Sequence, residues 1–344
     1  TLFNMNLESN ISKTLIIAEA GVNHNGDLEI AKELIHQAAI AGADLVKFQT
    51  FTVAKLLTLE APKADYQQDP NALTTTNYEM LESLELSKND HLELIQECKK
   101  HGIEFFSTAF DEASLSFLLE LGMSKIKIPS GEITNKPLLE FIAQFDMPVI
   151  MSTGMADLNE IHRAIEVLCN NKLTRENITI LHCTSQYPAS FENINLRAIT
   201  SMKKKFNLNI GYSDHTLGAE ASIAAVSLGA TIIEKHITLD SNMSGPDHKA
   251  SMEPKDFQDM VSAIRNIERG LGNGIKVPTS EELEMRTVAR KSLVANKKIE
   301  KGEIFTQENL TVKRPGNGLS PMSINEVIGT KAVYSFEEND LIKI

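Results

Sequence analysis

The fold is decided by the stretch LIIAEAGVNHNGDLEIAKELIHQAAIAGADLVKFQT, residues 15–50. Its first seven residues form an apolar run of strand length. The segment DLEIAKELIHQAAIAG (27–42) then places Leu, Ile and Ala at three- and four-residue spacing, which is typical of an amphipathic helix. DLVKFQT (44–50) returns to a strand pattern. A strand, a helix and a second strand in this order predict two parallel strands joined by a helical crossover.

This strand–helix unit recurs along most of the chain. The strand-like runs are LIIAEAG (15–21), DLVKFQT (44–50), IEFFSTAF (103–110), KIKIPSG (125–131), PVIMSTG (148–154), ITILHCT (178–184), NIGYSDH (209–215) and TIIEKHIT (231–238). Eight such units in about 250 residues match the size of a (β/α)8 TIM barrel. An open doubly wound sheet is the alternative, and it is disfavoured because no GxGxxG follows the first strand. We therefore predict an α/β fold built on a (β/α)8 barrel.

The alternation stops before the end of the chain. GLGNGIKVPTSEE (270–282) is rich in Gly, Pro and polar residues, as linkers often are. We predict a barrel domain over residues 1–275, a linker over 276–284 and a small domain with short strands over 285–344. A unit of that size buries little surface and is marginally stable alone, so we expect it to dock on its own barrel or on that of a partner subunit.

Composition and charge restrict the function. The 344 residues carry 34 Lys and Arg against 46 Asp and Glu, a net charge of −12, which disfavours binding to nucleic acid or to an anionic membrane surface. No apolar run approaches the roughly 20 residues of a membrane span, and TLFNMNLESN (1–10) has no secretory-signal pattern. Three cysteines without a CxxC pair do not form a disulfide framework. We expect a cytoplasmic protein.

Polar residues follow the predicted strands, where barrels of this kind carry their active sites. They include Glu19, Lys47, Gln49, Thr108, Lys127, Ser130, Glu132, Ser152, Ser185, Ser213, His215, Glu234 and His236. Alternation along the strands points Lys47 and Lys127 into the barrel mouth. A buried ammonium needs a partner, so each lysine either pairs with a glutamate, as Lys127 with Glu132, or binds an anion. Two lysines with several hydroxyls favour a phosphate or carboxylate ligand.

Two histidines end neighbouring strands on the inward face. His215 and His236 are therefore candidates to share a divalent ion, although hydrogen-bonded structural histidines are the commoner case. Asp214 is a candidate partner for an imidazole N–H. Glu19, the carboxylate at the end of the first strand, is a candidate proton acceptor or a salt-bridge partner of Lys47. We interpret Cys183 as buried and inert, and we expect histidines in helical segments, such as His91, at the surface.

Ten motifs extend along nearly the whole chain in order: AEAGVNHNG, VKFQTF, FSTAFD, IKIPSGE, STGM, LHCTSQYP, GYSDHT, IEKHITLD, SGPDHKAS and KRPGNG. Together they resemble the motifs of the bacterial sialic acid (N-acetylneuraminate) synthase family, and the chain looks close to the legionaminic acid synthases. The resemblance implies a barrel followed by an antifreeze-like (SAF) domain. It also implies an enzyme that condenses phosphoenolpyruvate with N-acetylmannosamine and water to N-acetylneuraminic acid and phosphate. The alternative substrate is 2,4-diacetamido-2,4,6-trideoxymannose, which gives legionaminic acid.

The resemblance also implies roles for individual residues. Phosphoenolpyruvate would be held by Lys47, Thr108, Lys127, Ser130, Ser152 and Ser213. His215 and His236 would bind Mn²⁺, or Mg²⁺ or Co²⁺. The N-acylated sugar would contact Gln49, Glu132, Tyr187 and Asp247. Glu19 and Lys127 would be catalytic. Arg314 would reach the site from the other subunit of a domain-swapped homodimer, whose SAF domain caps the partner's barrel. Some members of the family have Asn at the position of Ser185. The contact to phosphoenolpyruvate at that position would then fall to Thr184 or Ser185.

Two other functions fit parts of the sequence. A Schiff-base aldolase would use Lys127 or Lys47 as a nucleophile, and would not release phosphate. A carbohydrate- or surface-binding protein would rely on the small C-terminal domain, and the barrel would then be inert.

Overall fold

The computed structural model describes residues 13–64, 67 and 76–344. Residues 1–10, in which we expect no secretory signal, lie outside the described residues. The chain divides into two compact units, Thr1–Asn273 and Gly274–Ile344. The first unit contains an eight-stranded sheet and the second contains a two-stranded one.

Each of the eight predicted runs contains one strand of the larger sheet. The strands are β1 (Leu15–Gly21), β2 (Leu45–Thr50), β3 (Glu104–Ala109), β4 (Ile126–Ile128), β5 (Val149–Ser152), β6 (Ile178–Cys183), β7 (Asn209–Asp214) and β8 (Ile232–His236). Their order is β3-β2-β1-β8-β7-β6-β5-β4, and every pair is parallel. The terminal strands β3 and β4 contact each other, so the sheet curls into a nearly closed barrel. The predicted (β/α)8 barrel is confirmed.

Helices follow the strands and cover the outside of the sheet. Those of the first unit are α1 (Leu28–Ile40), α2 (Val53–Leu56), α3 (Asn77–Glu82), α4 (Lys88–His101), α5 (Glu112–Glu120), α6 (Lys136–Ile142), α7 (Leu158–Leu168), α8 (Arg197–Phe206), α9 (Glu220–Ser227) and α10 (Pro254–Leu271). Short 3-10 turns occur at Ser130–Glu132, Arg175–Asn177 and His248–Ala250. The predicted periodicity of α1 is real, because Leu34, Ile35 and Ala38 are fully buried against the sheet.

Side-chain caps fix where several helices begin. The Asp27 carboxylate accepts hydrogen bonds from the backbone N–H groups of Glu29 and Ile30 at the start of α1. Ser87 and Asp90 form a reciprocal capping box at the start of α4. Such caps satisfy N–H groups that have no partner within the helix. They therefore fix the residue at which each of these helices begins.

One histidine prediction is wrong. His91 lies in α4, but it is buried, and its ring nitrogens contact the Thr50 hydroxyl at 2.8 Å and the Ser87 carbonyl oxygen at 2.7 Å. The ring also packs edge-on against Phe117. Both polar atoms are satisfied inside the protein, so the residue is on the helix face that meets the sheet.

The second unit is small and has its own core. It contains α11 (Ser280–Ala289), β9 (Ser292–Ala295), β10 (Leu310–Lys313), a 3-10 turn at Pro321–Ser323 and α12 (Ile324–Val327). Strands β9 and β10 are antiparallel. Leu293, Phe305, Val327 and Phe336 are among the buried residues of a separate apolar cluster.

The predicted linker differs from what the structure shows. The predicted segment 276–284 includes the first residues of α11, because Thr279 and Glu282 form a capping box there. The sequence TSEE carries that signal, a Thr followed three residues later by a Glu. The boundaries at 275, 284 and 285 stay predictions. No helix in the described part of the chain is long and apolar enough to cross a membrane.

Close packing between barrel strands predicts a steric effect at Gly211 in β7. A Cβ there would lie 2.4 Å from Leu181 Cδ2 and 2.7 Å from the Ile232 carbonyl oxygen. We expect Gly211→Ala to lower the free energy of unfolding by about 1–3 kcal/mol through overpacking, as measured by urea denaturation. Gly270→Ala is the matched control, because a Cβ at Gly270 in α10 meets nothing within 4 Å and alanine favours helix. Equal stability of the Gly211→Ala variant and the wild type would contradict the packing described here.

Candidate active site

A cavity of about 430 Å³ opens at the carboxyl ends of the barrel strands. Thirteen of the fifteen predicted site residues line it. They are Glu19, Lys47, Gln49, Thr108, Lys127, Ser130, Ser152, Ser185, Tyr187, Ser213, His215, His236 and Asp247. The structure thus brings these residues together at one rim of the barrel, while their individual roles stay predictions.

Lys47 is held by two carboxylates and one hydroxyl. Its Nζ lies 3.0 Å from Glu19 Oε2 and 3.2 Å from Glu234 Oε2, and it donates a hydrogen bond to Thr108 Oγ1 at 3.0 Å. Burial alone would lower the pKa of Lys47, but the two carboxylates raise it above its ordinary value. Lys47 therefore keeps its positive charge in the cavity.

Lys127 shares one of those carboxylates. Its Nζ donates to Ser152 Oγ at 2.8 Å and lies 3.7 Å from Glu234 Oε1. Burial lowers the pKa of Lys127 to about 8, although Glu234 opposes this effect. The glutamate partner is Glu234 on β8 and not Glu132, which was the sequence-based alternative. The two lysines are therefore paired, but with residues from across the barrel.

Glu234 is the functional residue that sequence reasoning underrated. It lies between the ammonium groups of Lys47 and Lys127, and its Oε1 also accepts a hydrogen bond from Ser213 Oγ at 2.9 Å. Burial would raise the pKa of Glu234, but the two ammonium groups hold it below its usual range. The sequence did carry one signal for Glu234: it lies two residues before His236, and therefore on the same face of the strand.

Glu19 differs from Glu234 in its environment. Burial raises the pKa of the Glu19 carboxyl, against the lowering effect of Lys47. Gln49 Nε2 donates to Glu19 Oε1 over 3.4 Å. A carboxyl group with a raised pKa compensates the Lys47 ammonium less completely than the ionised Glu234 does. This arrangement suits an anionic ligand.

The two histidines have the features of divalent-cation ligands. His215 Nδ1 lies 2.7 Å from the Thr184 carbonyl oxygen, so Nδ1 carries a proton and the neutral ring would offer Nε2 to an ion. Burial lowers the pKa of His215, but the contacts with Cys183 and the Thr184 carbonyl raise it above its ordinary value. The rings of His215 and His236 have centroids 5.6 Å apart. His236 Nδ1 is buried without a hydrogen-bond partner among the described residues and lies 3.9 Å from Asp247 Oδ2.

The donor set fits an ion with an open coordination shell. Burial, with help from the neighbouring His215, lowers the pKa of His236 well below its usual value, which keeps it in the neutral form that binds metals. Among the described residues no three His, Cys, Asp or Glu side chains are grouped as a complete metal site. An ion held by these histidines would take its remaining ligands from water or substrate oxygens.

Of two predictions about neighbouring residues, one is wrong and the other is confirmed for burial. Asp214 does not contact an imidazole, because its carboxylate oxygens accept from Thr216, Ser222 and Lys235 instead. Cys183 is buried as predicted, but it lines the cavity, and its Sγ lies 3.8 Å from His215 Nδ1. The prediction that Cys183 is buried is confirmed, and its inertness stays a prediction.

Close backbone packing shapes the other side of the cavity. Ser130 Oγ accepts a hydrogen bond from the Gly154 N–H at 2.9 Å. A Cβ at Gly154 would lie 2.1 Å from Ser185 Oγ and 2.8 Å from Ser130 Oγ, so only glycine lets these two hydroxyls approach the backbone. The Tyr187 ring lies 4.0 Å from the His215 ring, centroid to centroid, and covers one side of the imidazole.

Two predicted site residues are not among those that line this cavity. Glu132 is half-buried in the turn after β4 and accepts a hydrogen bond from Asn135 Nδ2 at 2.6 Å. Its expected contact with the sugar stays a prediction. Arg314 belongs to the second unit, where it is exposed and precedes a cis proline. Its predicted role in the site of a partner subunit stays a prediction.

The chain matches two known families. The NeuB family matches residues 34–276 and the SAF domain matches residues 290–344. The chain therefore belongs to the NeuB family, and the predicted C-terminal SAF domain is confirmed.

Similar proteins carry synthase names. N,N′-diacetyllegionaminic acid synthase of Campylobacter jejuni is 52% identical over 97% of this chain and 100% of its own length. The protein of that name in Legionella pneumophila is 46% identical over 92% of this chain and 89% of its own. The crystal structure of a sialic acid synthetase from Leptospira borgpetersenii, in complex with citrate, is similar with a TM-score of 0.70 and 36% identity, over 80% of this chain and 90% of that one.

These similarities confirm the class of enzyme. The resemblance to sialic acid synthases, close to the legionaminic acid synthases, is confirmed by the family and by its named members. The protein is thus an enzyme of the N-acetylneuraminate synthase type, a class that forms a carbon–carbon bond with phosphoenolpyruvate.

The pKa of Lys127 predicts pH-dependent anion binding. A lysine carries its charge below its pKa, so the Lys127 ammonium is present below about pH 8 and is lost above it. We expect the affinity for sulfate, whose own charge is constant here, to fall roughly tenfold between pH 7 and 9.5, as measured by calorimetry. Lys127→Arg should remove most of this dependence.

Glu19 also titrates near this range, so Glu19→Gln is the matched control. The dependence on pH should persist in that variant, because Lys127 is intact. An affinity that is independent of pH in the wild type would contradict the assignment of Lys127 as an anion ligand with a lowered pKa.

Proposed function

We propose that the protein condenses phosphoenolpyruvate with 2,4-diacetamido-2,4,6-trideoxymannose and water, and forms N,N′-diacetyllegionaminic acid and phosphate. The observation that carries this proposal is the 52% identity to a named legionaminic acid synthase over the full length of that relative. The sequence analysis placed N-acetylmannosamine first as the sugar. The similarities favour the alternative, because the sialic acid synthetase structure is only 36% identical.

The cavity has a place for the phosphate and carboxylate of phosphoenolpyruvate. The ammonium groups of Lys47 and Lys127 lie beside the hydroxyls of Thr108 and Ser152, and Ser213 lies on the other side of Glu234. Buried hydroxyl and ammonium donors stabilise anions strongly. Ser130 and Ser185, whose hydroxyls converge on Gly154, are further hydroxyl donors in the same cavity.

The reaction forms two new bonds to phosphoenolpyruvate, one at C3 and one at C2. C3 of phosphoenolpyruvate attacks the aldehyde carbon C1 of the open-chain sugar, and the aldehyde oxygen takes up a proton. Water then bonds to C2 and gives one proton to Glu19, which replaces the proton that the former aldehyde oxygen takes up. The tetrahedral intermediate expels phosphate by C–O cleavage, and the second proton of the water leaves with the phosphate, so that the 2-keto acid and hydrogen phosphate remain. Glu19 suits this role because burial raises its pKa, so it accepts a proton more readily than the firmly ionised Glu234.

His215 and His236 are proposed to hold Mn²⁺, or Mg²⁺ or Co²⁺, with Asp247 close to His236. A bound divalent ion supplies Lewis acidity to a carbonyl oxygen. The Thr184 carbonyl oxygen orients His215 by accepting from Nδ1. The Tyr187 ring lies against the same imidazole and helps to exclude water from that face.

The sugar would occupy the outer part of the cavity. Gln49 and Asp247 line it with polar groups, and Val22, Leu81 and Phe110 line it with apolar ones. An apolar surface suits the methyl group of a 6-deoxy sugar, whereas a hydroxyl buried against it without a partner costs about 1–3 kcal/mol. This lining supports the deoxy sugar over N-acetylmannosamine.

The assembly and location are further parts of the proposal. Arg314 is proposed to reach the site of a partner subunit in a homodimer whose SAF domain caps the partner's barrel, as the family resemblance implies. An exposed guanidinium suits a carboxylate or phosphate ligand. A cytoplasmic location, expected from the sparse cysteines, also stays a prediction.

A phosphate-release assay tests the function. The enzyme would receive phosphoenolpyruvate with either 2,4-diacetamido-2,4,6-trideoxymannose or N-acetylmannosamine, with and without EDTA. We expect release with the first sugar, at least tenfold weaker release with the second, and loss of release in EDTA that Mn²⁺ restores. A preference for N-acetylmannosamine would overturn the sugar assignment, and full activity in EDTA would overturn the roles of His215 and His236.

The same assay separates the rival functions. A Schiff-base aldolase would release no phosphate, and it would be trapped by borohydride in the presence of pyruvate. A binding protein would release no phosphate and would form no trapped adduct. His215→Ala would leave the properties of a binding protein unchanged, whereas we expect it to abolish turnover.

Arg314 provides a test of the proposed assembly. We expect Arg314→Ala to lower kcat/KM by at least about 100-fold, because it removes a charge-assisted contact to substrate, and to leave the oligomeric state unchanged by light scattering. Lys313→Ala is a matched control on the neighbouring residue, which contacts Asn339 within its own unit. Near-normal turnover by Arg314→Ala would refute the contribution from a partner subunit.

A further inference from the structure

A second buried ion pair lies directly behind the candidate active site. Lys235 Nζ is 2.9 Å from Asp214 Oδ2, and their side chains are 1% and 0% exposed. The two residues are register neighbours on β7 and β8. Neither is among the residues that line the active-site cavity, and Lys235 instead lines a separate cavity beside α9 and α10. The pair is therefore on the outer face of the barrel sheet.

This ion pair sits in a fully connected polar network. Asp214 Oδ1 accepts from the Thr216 N–H at 2.9 Å and the Thr216 hydroxyl at 2.8 Å. Oδ2 accepts from Ser222 Oγ at 2.7 Å as well as from Lys235. Lys235 also donates to the Thr216 carbonyl oxygen at 2.6 Å. The network thus joins β7, the loop after it, α9 and β8.

Stability alone does not explain charged residues at these positions. The other outward residues nearby, such as Ile210, Ile233 and Ile237, are buried and apolar. A buried ion pair adds little net stability relative to apolar side chains of similar size, but it imposes direction through its hydrogen bonds. What distinguishes Asp214 and Lys235 is their place in the chain, because each immediately precedes one of the two candidate metal ligands, His215 and His236.

We propose that Asp214 and Lys235 are positioning residues that set the separation and orientation of His215 and His236, and through them the affinity for a divalent cation. The register that pairs Asp214 with Lys235 also pairs Ser213 with Glu234, so the network fixes both strand ends at the point where the histidines leave the sheet. This inference rests on the proposed function, since it takes the two histidines as the ligands.

The test uses Mn²⁺ binding to the whole protein without substrates, measured by electron paramagnetic resonance. Lys235→Met alone would leave a buried carboxylate unpaired, so the double variant Asp214→Asn/Lys235→Met, which removes both charges, is the main one. We expect its Kd for Mn²⁺ to rise about 10- to 100-fold, as is usual when groups behind metal ligands are lost, with a melting temperature near that of the wild type. Kinetics should show a lower kcat with little change in KM for phosphoenolpyruvate.

Two further variants control for folding. Ser222→Ala removes one hydrogen bond to Asp214 and keeps both charges, and it should raise the Kd a few-fold in a folded protein. Arg265→Met breaks ion pairs with Asp44 and Glu268 near the start of β1, where Arg265 also donates to the Thr14 carbonyl oxygen. It should change stability without changing the Kd for Mn²⁺.

The outcomes separate this inference from the function it rests on. If Mn²⁺ binds the wild type, is lost in His236→Ala, and binds the double variant as tightly as the wild type, the positioning role is wrong while the metal site stands. If the double variant only loses stability and its folded fraction binds Mn²⁺ normally, the role is structural and the inference is again wrong. If Mn²⁺ binding to the wild type does not depend on the histidines, the metal site and the inference both fail.

Discussion

Two ammonium groups buried at the rim of the barrel determine the rest of the site. Lys47 and Lys127 share the carboxylate of Glu234, at 3.2 and 3.7 Å, and Lys47 has a second carboxylate in Glu19. Removing a charge from water costs several kcal/mol unless it is compensated. Glu234 must therefore stay ionised to hold both lysines, whereas Glu19 faces only one of them directly. An anionic substrate would add further compensation to the two ammonium groups.

This unequal sharing gives two neighbouring carboxyl groups different properties. The flanking ammonium groups hold the pKa of Glu234 low, while burial raises the pKa of Glu19. One carboxylate is then a fixed counter-ion and the other is free to exchange a proton, which is how enzymes obtain distinct roles from the same chemical group. Because the difference comes from position in the barrel, a glutamate at the end of β1 is suited to proton transfer and one on β8 is not.

The sequence predicted the strands and the cavity-facing residues well, because both follow from periodicity. Alternation along a strand places Lys47 and Gln49 on one face without any knowledge of the other strands. It does not show which partner a long side chain reaches, so Glu132 was weighed as the partner of Lys127 and Glu234 was not. For the same reason it assigned Asp214 to an imidazole N–H, whereas strand register pairs Asp214 with Lys235. Contacts between residues far apart in sequence depend on barrel geometry, which local patterns do not contain.

Strands β7 and β8 show how closely the fold and the site depend on each other. Their inner faces present Ser213 and Glu234, and their outer faces present Asp214 and Lys235, with both pairs in register. Because side chains alternate, a slip of one residue in either strand would turn its site residue outward and its outer charged residue into the barrel. The polar pair on the inner face and the polar pair on the outer face therefore both favour the same register of β7 and β8. The requirement that buried charges find their partners is therefore one constraint that both sets the register of the barrel strands and assembles the groups proposed to bind the anion and the divalent ion.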